Sequence, residues 1–144
     1  EQPEATAEAL EGGWFHTGDG GDLDDGGCLT ISDRKKDVII SGGENVSSIE
    51  VEDVIFQHPD VTEVAVIGIP DEKWGELVTA LVVRANGSTL TEDEVIAWCK
   101  QKLAGYKCPK RVEFRMELAR TATGKLQKFK LREPFWEGRE RQVN

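Results

Sequence analysis

Residues 100–132 carry eleven cations (Lys100, Lys102, Lys107, Lys110, Arg111, Arg115, Arg120, Lys125, Lys128, Lys130 and Arg132) against two acids, Glu113 and Glu117, a local net charge of +9. Such a segment is suited to meeting anions, or it forms an ordinary solvated basic face. Within it, Lys125 lies in the run RTATGKLQK, residues 120–128, where small hydroxyl residues and a glycine stand in place of a helix. A compact ammonium on such a loop can be brought up to a negative group and withdrawn without dragging a helix along. Near the other end of the chain, Asp19 in HTGD stands between Gly18 and Gly20. Those neighbours fit an Asx turn as well as a ligand-binding carboxylate. Cys28, Cys99 and Cys108 show neither CxxC spacing nor a nearby histidine pair, so the expectation is no disulfide framework and no metal site, in a reducing cytoplasm.

The elements that must position these residues read as α+β. Residues 1–11 have no apolar periodicity and read as a frayed lead-in. GGWFHTGDGGDLDDGGCLTI has seven glycines and two apolar bursts around LDDGG, a hairpin with a DG turn. Two glycine-rich strands bury little, so the hairpin is expected to belong to a sheet whose other strands are absent, and the chain to be a fragment. A short strand at 37–41 leads through Gly42 and Gly43 to a helix opened by a Ser47/Glu50 capping box and closed by Pro59. VTEVAVIGIP and ELVTALVVR read as adjacent strands. TLTEDEVIAWCKQKL reads as an amphipathic helix with a Thr91/Glu94 capping box and Val95, Ile96, Cys99 and Leu103 on its apolar side. RVEFRM gives a third strand, and QKFKLREPFW a short terminal helix. The expected fold is a small three-stranded sheet flanked by helices, with a short two-stranded element, antiparallel pairs predominating, and the hairpin in front.

Charge and hydropathy bound the function. The net charge of −9 argues against general nucleic-acid binding, although nine acids and no Lys or Arg fall in residues 1–33, leaving 34–144 neutral. No apolar run approaches the roughly 18 residues of a membrane span, and the acidic start EQPEATAEAL is unlike a secretory signal.

In order, GWFHTGD, DRKKDVIISGGENV, GIPDEKWGE, LAGYKCPKRVEF and TATGKLQK strongly resemble the C-terminal part of the adenylate-forming acyl-CoA synthetase family, which includes fatty-acid, coumarate and benzoate CoA ligases and firefly luciferase. The resemblance covers residues 12–132. The tail LREPFWEGRERQVN is similar to the actinobacterial fatty-acyl-CoA ligase branch. The resemblance implies residues 1–33 as the end of a large N-terminal domain, which is the chain's main partner, and 34–144 as a mobile lid. The family converts a carboxylic acid and ATP to an acyl-adenylate, then lets the CoA thiol displace AMP, rotating the lid about a hinge between the steps. Mg2+ accompanies ATP and is held mainly by the large domain.

By this resemblance Lys125 is the adenylation lysine bridging substrate carboxylate and α-phosphate, Asp19 holds the ribose hydroxyls, and Arg34 steadies the nucleotide. Lys36 is the hinge. Gly42 and Gly43 line the pantetheine tunnel, Trp74 and Tyr106 lie around the CoA entrance, and Lys110 pairs with a CoA phosphate. Each also has a plainer reading, respectively as surface charge, turn glycine or packing aromatic. Cys108 departs from relatives with arginine there, which bears on the nucleotide end of CoA. Two rival readings stay open: a lid serving a carrier protein or a luciferase-like oxidation, and a non-catalytic α+β binding module.

Overall fold

The structure, a computed structural model, describes residues 2–139. Its frame is one long antiparallel ribbon. β5 (Val61–Asp71) and β6 (Gly75–Arg84) pair from Val61↔Arg84 to Asp71↔Gly75. Both are runs of β-branched and aliphatic residues, so each pleated face presents a row of apolar side chains. Val66, Val78, Ala80 and Val82 face one way, into a cluster completed by Ile39, Val46, Val51, Ile55, Val95, Cys99 and Val112. Ala65, Ile67, Ile69 and Leu81 face the other way, toward Leu118, Leu126, Leu131 and Phe135.

Helices cover both faces. On the first lie α2 (Ser48–Phe56) and α3 (Glu92–Lys100); on the second lies α4 (Lys128–Trp136). α3 carries the chain back across the sheet, so β7 (Arg111–Arg115) joins β6 in parallel, from Thr79↔Arg111 to Val83↔Arg115. Antiparallel pairs predominate, as the sequence reading expects, and β6–β7 is the one parallel pair among these strands, joined through the helical crossover that a parallel pair needs. The two-stranded element, β3 (Ile39–Ser41) with β4 (Glu44–Val46), is joined to the start of β6 through Ser41↔Gly75, giving one five-stranded sheet. Glu76 Oε2 reinforces that single pair by accepting from Ile40 N–H at 3.0 Å.

The lead-in is more ordered than its composition implies: Pro3–Ala9 form a helix, α1, with Pro in the first turn, where a missing N–H is harmless, although none of its residues is buried. β1 (Asp19–Leu23) and β2 (Leu29–Arg34) form the hairpin, closed by Gly27 N–H to Asp24 O at 3.0 Å. Its apolar residues Leu23, Leu29 and Ile31 are 70%, 63% and 52% exposed, as expected of strands without a covering layer.

The two capping boxes differ. Thr91 and Glu94 make both reciprocal bonds, and those bonds to Thr91 hold the Glu94 carboxyl below its usual range. At Ser47 only half forms, because Glu50 turns away to Lys107 Nζ at 2.7 Å. The free end of α2 is served instead by Asp33, from outside the helix.

Beneath α2 lies a polar interior that the sequence does not announce. Lys128 Nζ reaches Glu52 Oε1 at 2.7 Å and donates to Ser48 Oγ at 2.7 Å, while Val66 N–H donates to the same Glu52 oxygen. The pair is 11% and 15% exposed, and burial outweighs Lys128, so the Glu52 carboxyl is pushed above its usual range. A carboxyl raised on folding stabilises the fold below its unfolded pKa and loses that contribution as pH rises through the folded value. Removing Lys128 leaves a buried uncompensated charge. Lys128→Met is therefore expected to destabilise the domain by about 3 kcal/mol at pH 8 and by clearly less at pH 5, where Glu52 takes up a proton. Urea midpoints at the two pH values check this; an equal loss at both would contradict it.

Candidate functional site

Lys125 sits on a tight, well-tied turn. Gly124 N–H donates to Thr121 O at 2.9 Å, Thr121 N–H to Lys125 O at 2.8 Å, and Lys125 N–H to Thr121 Oγ1 at 3.0 Å. Gly124 takes φ +84°, a left-handed value that suits glycine. Arg120 braces the turn from beneath, donating to Gly124 O at 2.8 Å and to Glu63 on β5 at 2.6 Å, and Leu126 tucks into the second core cluster. The sequence reading of a mobile loop is thus corrected in one respect. The turn is fixed to the sheet, and only the exposed Lys125 side chain stands clear, its Nζ making no hydrogen bond or ion pair among the described residues.

The basic segment as a whole is not an open anion surface. Lys107, Arg111, Arg115, Arg120, Lys128 and Arg132 each reach an acid of the same domain. The Glu50 carboxylate raises the Lys107 ammonium above its ordinary range. Lys125 has no acidic partner among the described residues, and neither have Lys100, Lys102, Lys110 and Lys130, of which Lys102 donates to Gln57 and Lys102, Lys110 and Lys130 lie over aromatic rings.

Asp19 and Arg34 face each other across the hairpin, and Arg34 Nε stands 3.5 Å from Asp19 Oδ1. Asp19 N–H donates to Thr17 Oγ1 at 3.2 Å, so a hydroxyl-supported turn exists, and it orients the carboxylate rather than competing with it. Lys36 is exposed, just beyond β2. Its carbonyl accepts from Arg132 Nη1 at 2.9 Å, and the same nitrogen pairs with Asp37 Oδ1 at 2.6 Å. Arg132, which braces the backbone at Lys36 from α4, and its partner Asp37 beside Lys36 carry no local sequence signal.

Gly42, Gly43, Trp74 and Lys110 gather at the opposite end of the ribbon. Gly42 N–H donates to Trp74 O at 2.8 Å, and Gly42 and Gly43 take φ +63° and +85°. A Cβ on Gly42 would lie 2.8 Å from Trp74 Cε3. Lys110 and Lys73 place their ammonium groups 4.8 and 5.0 Å from the centre of the indole ring. Beside it opens a cavity of about 470 Å³ lined by Ile40, Gly43, Pro70, Trp74, Glu76 and Trp136. The cavity itself carries Asp71, Glu72 and Glu76 against Arg139, so it is the indole with Lys73 and Lys110 stacked on it, rather than the cavity wall, that can meet an anionic, aromatic ligand. Tyr106 is on the turn after α3, exposed, with Lys107 Nζ 5.9 Å from its ring, and does not share the contacts that unite the others. Cys108 is 3% exposed, with Sγ 3.5 Å from Ala104 O, so it presents nothing to a ligand. Burial raises both the Cys108 thiol and the Cys99 thiol, the latter to about 12, which leaves them inert.

The Lys125 turn is moored to Glu63 and the Gly42 turn to Gly75, the partner of Asp71. Residues 63 and 71 are separated by about 26 Å of extended strand. No group of three or more His, Cys, Asp or Glu able to hold a metal lies among the described residues. Nor is any helix among them long and apolar enough to cross a membrane.

The profile of the AMP-binding enzyme C-terminal domain matches residues 50–125, over half the chain. The chain belongs to this family. This C-terminal domain is 52% identical over 134 residues to the long-chain-fatty-acid–CoA ligase FadD13 of Mycobacterium tuberculosis, covering 93% of the chain and 26% of that protein. It is 50% identical over 134 residues to a feruloyl-CoA synthase of an Amycolatopsis species, covering 93% and 27%. The chain thus spans about a quarter of the length of these relatives. Among solved structures, ATP-bound MatB from Rhodopseudomonas palustris superposes with TM-score 0.85 at 42% identity, over 94% of this chain and 27% of MatB. Apo MatB superposes with 0.71 at 43% identity, over the same shares.

Gly42 and Gly43 share a left-handed backbone, but only Gly42 has no room for a side chain. Gly42→Ala is therefore expected to lower stability by about 2 kcal/mol and Gly43→Ala by about 1 kcal/mol, from strain alone. Equal urea midpoints for the two variants would contradict the packing of Trp74 on Gly42.

Proposed function

We propose that this domain is the lid of an ATP-dependent, AMP-forming acid–thiol ligase, and that it serves two half-reactions by presenting its two ends in turn. What carries the reading is the separation of the two candidate sites: a free ammonium at one end of the β5–β6 ribbon, and a glycine turn with an indole and two lysines at the other. Both sets cannot approach one reacting centre in a single rigid orientation. In this reading the division falls at residues 33 and 34, with Lys36 as the hinge.

In the first step a carboxylate attacks the α-phosphorus of ATP and pyrophosphate leaves. Two anions must come together and charge accumulates on the phosphoryl oxygens. Lys125 bridges the carboxylate and the α-phosphate, stabilising that charge most where it is greatest, while Asp19 accepts from the ribose hydroxyls and Arg34 steadies the nucleotide. Lys125 acts as an electrostatic clamp with no covalent intermediate. In the second step the thiol of CoA adds to the acyl carbon and AMP leaves. A narrow pantetheine arm passes the Gly42–Gly43 turn, Trp74 takes the adenine face, and Lys110 meets a phosphate. Tyr106 remains a candidate at the CoA entrance. In this reading Mg2+ accompanies ATP on the large domain.

The acid is a fatty acid in our reading, supported by the likeness to FadD13 and by the tail LREPFWEGRERQVN, of which residues 140–144 lie outside the described residues. A near-equal likeness to a feruloyl-CoA synthase fits a lid that does not itself select the acyl group. CoA, rather than a carrier protein, is the acceptor we favour.

In the parent enzyme, Lys125→Ala is expected to slow acyl-adenylate formation about 10² to 10³-fold and to spare thioester formation from preformed adenylate. Gly43→Leu is expected to do the reverse, and Lys36→Pro to confine the lid to one orientation. Pyrophosphate release and single-turnover thioester formation separate the steps. Equal slowing of both by Lys125→Ala would overturn the assignment. The isolated 144-residue chain is expected to release no pyrophosphate from ATP and acid, and detectable release would contradict its role as a lid.

A further inference from the structure

The hydrogen bonds that join the hairpin to α2 converge on one carboxylate and its neighbour's carbonyl. Asp33 stands near the end of β2 and is 2% exposed. Its Oδ2 accepts from Ser48 N–H at 2.6 Å, Ser48 Oγ at 2.9 Å, Ser47 Oγ at 3.2 Å and Ile49 N–H at 3.4 Å. Its Oδ1 accepts from Arg34 N–H at 2.7 Å, and Ser47 Oγ also donates to Ser32 O at 3.1 Å. The acceptors lie before Lys36 and the α2 donors after it. Between them the backbone makes one tight turn, with Asp37 and Val38 N–H donating to Arg34 O at 2.8 and 3.1 Å.

A carboxylate at the first turn of a helix satisfies amide donors that have no partner within the helix and lies at the positive end of the helix dipole. Here that cap comes from the far side of the hinge. Any rotation at residue 36 that leaves the hairpin behind must pull Oδ2 away from Ser47, Ser48 and Ile49 together. We propose that Asp33 is a positioning residue, a latch across the hinge that holds the lid in one of its two orientations by docking its carboxylate on the N-terminus of α2. The inference rests on the reading of Lys36 as the hinge and deepens it, because it names the group that must let go when the lid turns.

The latch connects to the catalytic end of the lid. Ser48 Oγ, which donates to Asp33, accepts from Lys128 Nζ, three residues after Lys125 on the same chain segment. Arg132, from the helix that begins at Lys128, braces the backbone on the other side of the hinge. The latched arrangement superposes more closely on the ATP-bound form of MatB than on the apo form, a difference between those two structures. We assign the latched orientation to the adenylation step.

The chain offers a direct test. Cys28 is exposed on the hairpin turn, Met116 is 94% exposed just beyond β7, and Cys99 and Cys108 are buried. Nitroxide labels at Cys28 and at Met116→Cys report the hairpin–lid distance by double electron–electron resonance in the 144-residue chain. With Asp33 intact a single narrow distribution is expected. Asp33→Ala is expected to raise the ratio of undocked to docked hairpin about tenfold or more, and Asp33→Asn, which keeps an acceptor oxygen without its charge, by less. An unchanged distribution in an Asp33→Ala chain with a folded lid overturns the latch. If Asp33→Ala fails to fold, Ser47→Ala is expected to give a smaller broadening, and an unchanged distribution there overturns it equally. In the parent enzyme, Asp33→Ala is expected to slow adenylation more than thioester formation. Broadened distances together with equal slowing of the two steps contradict the hinge reading and not the docking, so the two failures are told apart.

Discussion

The pairing of β5 with β6 is the interaction on which the rest of this domain depends. Eleven residues of one strand lie against ten of the other, and because side chains alternate, a single ribbon supplies the inner face of two apolar clusters. Thr79, wholly buried at a position shared with β7, shows how little of the ribbon meets water. The Lys125 turn and the Gly42–Gly43 turn are hung from its two ends. Glu63 near one end holds Arg120, and through it the turn of Lys125; Gly75 at the other end pairs with Ser41 beside the Gly42–Gly43 turn. A stiff ribbon fixes the distance between those turns, so the geometry of function is set by strand length rather than by loop flexibility.

Against this apolar frame, the buried charges do a different job. Val, Ile and Leu would fill the space between α2, β5 and α4 at less electrostatic expense than Glu52 with Lys128, since burying an ion pair rarely adds stability over good packing. What the pair and its neighbours Ser48 and Asp33 provide is direction. Each hydrogen bond in the chain from Lys128 through Ser48 to Asp33 has a defined donor and acceptor, and together they fix how β2, α2 and the first turn of α4 sit on one another. The apolar clusters hold the lid together, and the polar chain sets where the hairpin stands on it.

Much of this was legible in the sequence where a local rule operates. The Thr91/Glu94 box, the apolar strands, the DG hairpin turn and the glycine pair before α2 each follow from residues near one another in the chain. Gly42 and Trp74 were separately legible as motif positions, and their contact is a product of the fold. What escaped the reading depends on partners distant in sequence. Asp33 lies fifteen residues from Ser48, and nothing local distinguishes it from the other acids of the first 33 residues. Glu50 stands at the capping-box position yet is drawn off by Lys107, 57 residues away. Counting eleven cations in residues 100–132 gives the right sign and an incomplete picture, because Lys107, Arg120, Lys128 and Arg132 face acids contributed by other elements, and Arg111 and Arg115 share Glu113 of their own strand. The parallel placement of β7 and the joining of β3 to β6 are likewise decisions of the whole sheet.

The central claim is that Lys125 enters the reacting centre in one half of the cycle and leaves it in the other. Its accessibility to an amine-acylating reagent, read peptide by peptide by mass spectrometry in the parent enzyme, measures this directly. In the free 144-residue chain Lys125 is exposed and is expected to react fully. In the parent, an acyl-adenylate analogue that holds the lid for adenylation is expected to protect Lys125 at least about tenfold, and adding CoA to restore its reactivity. Protection that persists unchanged in the CoA complex, or no protection by the adenylate analogue, would contradict the account.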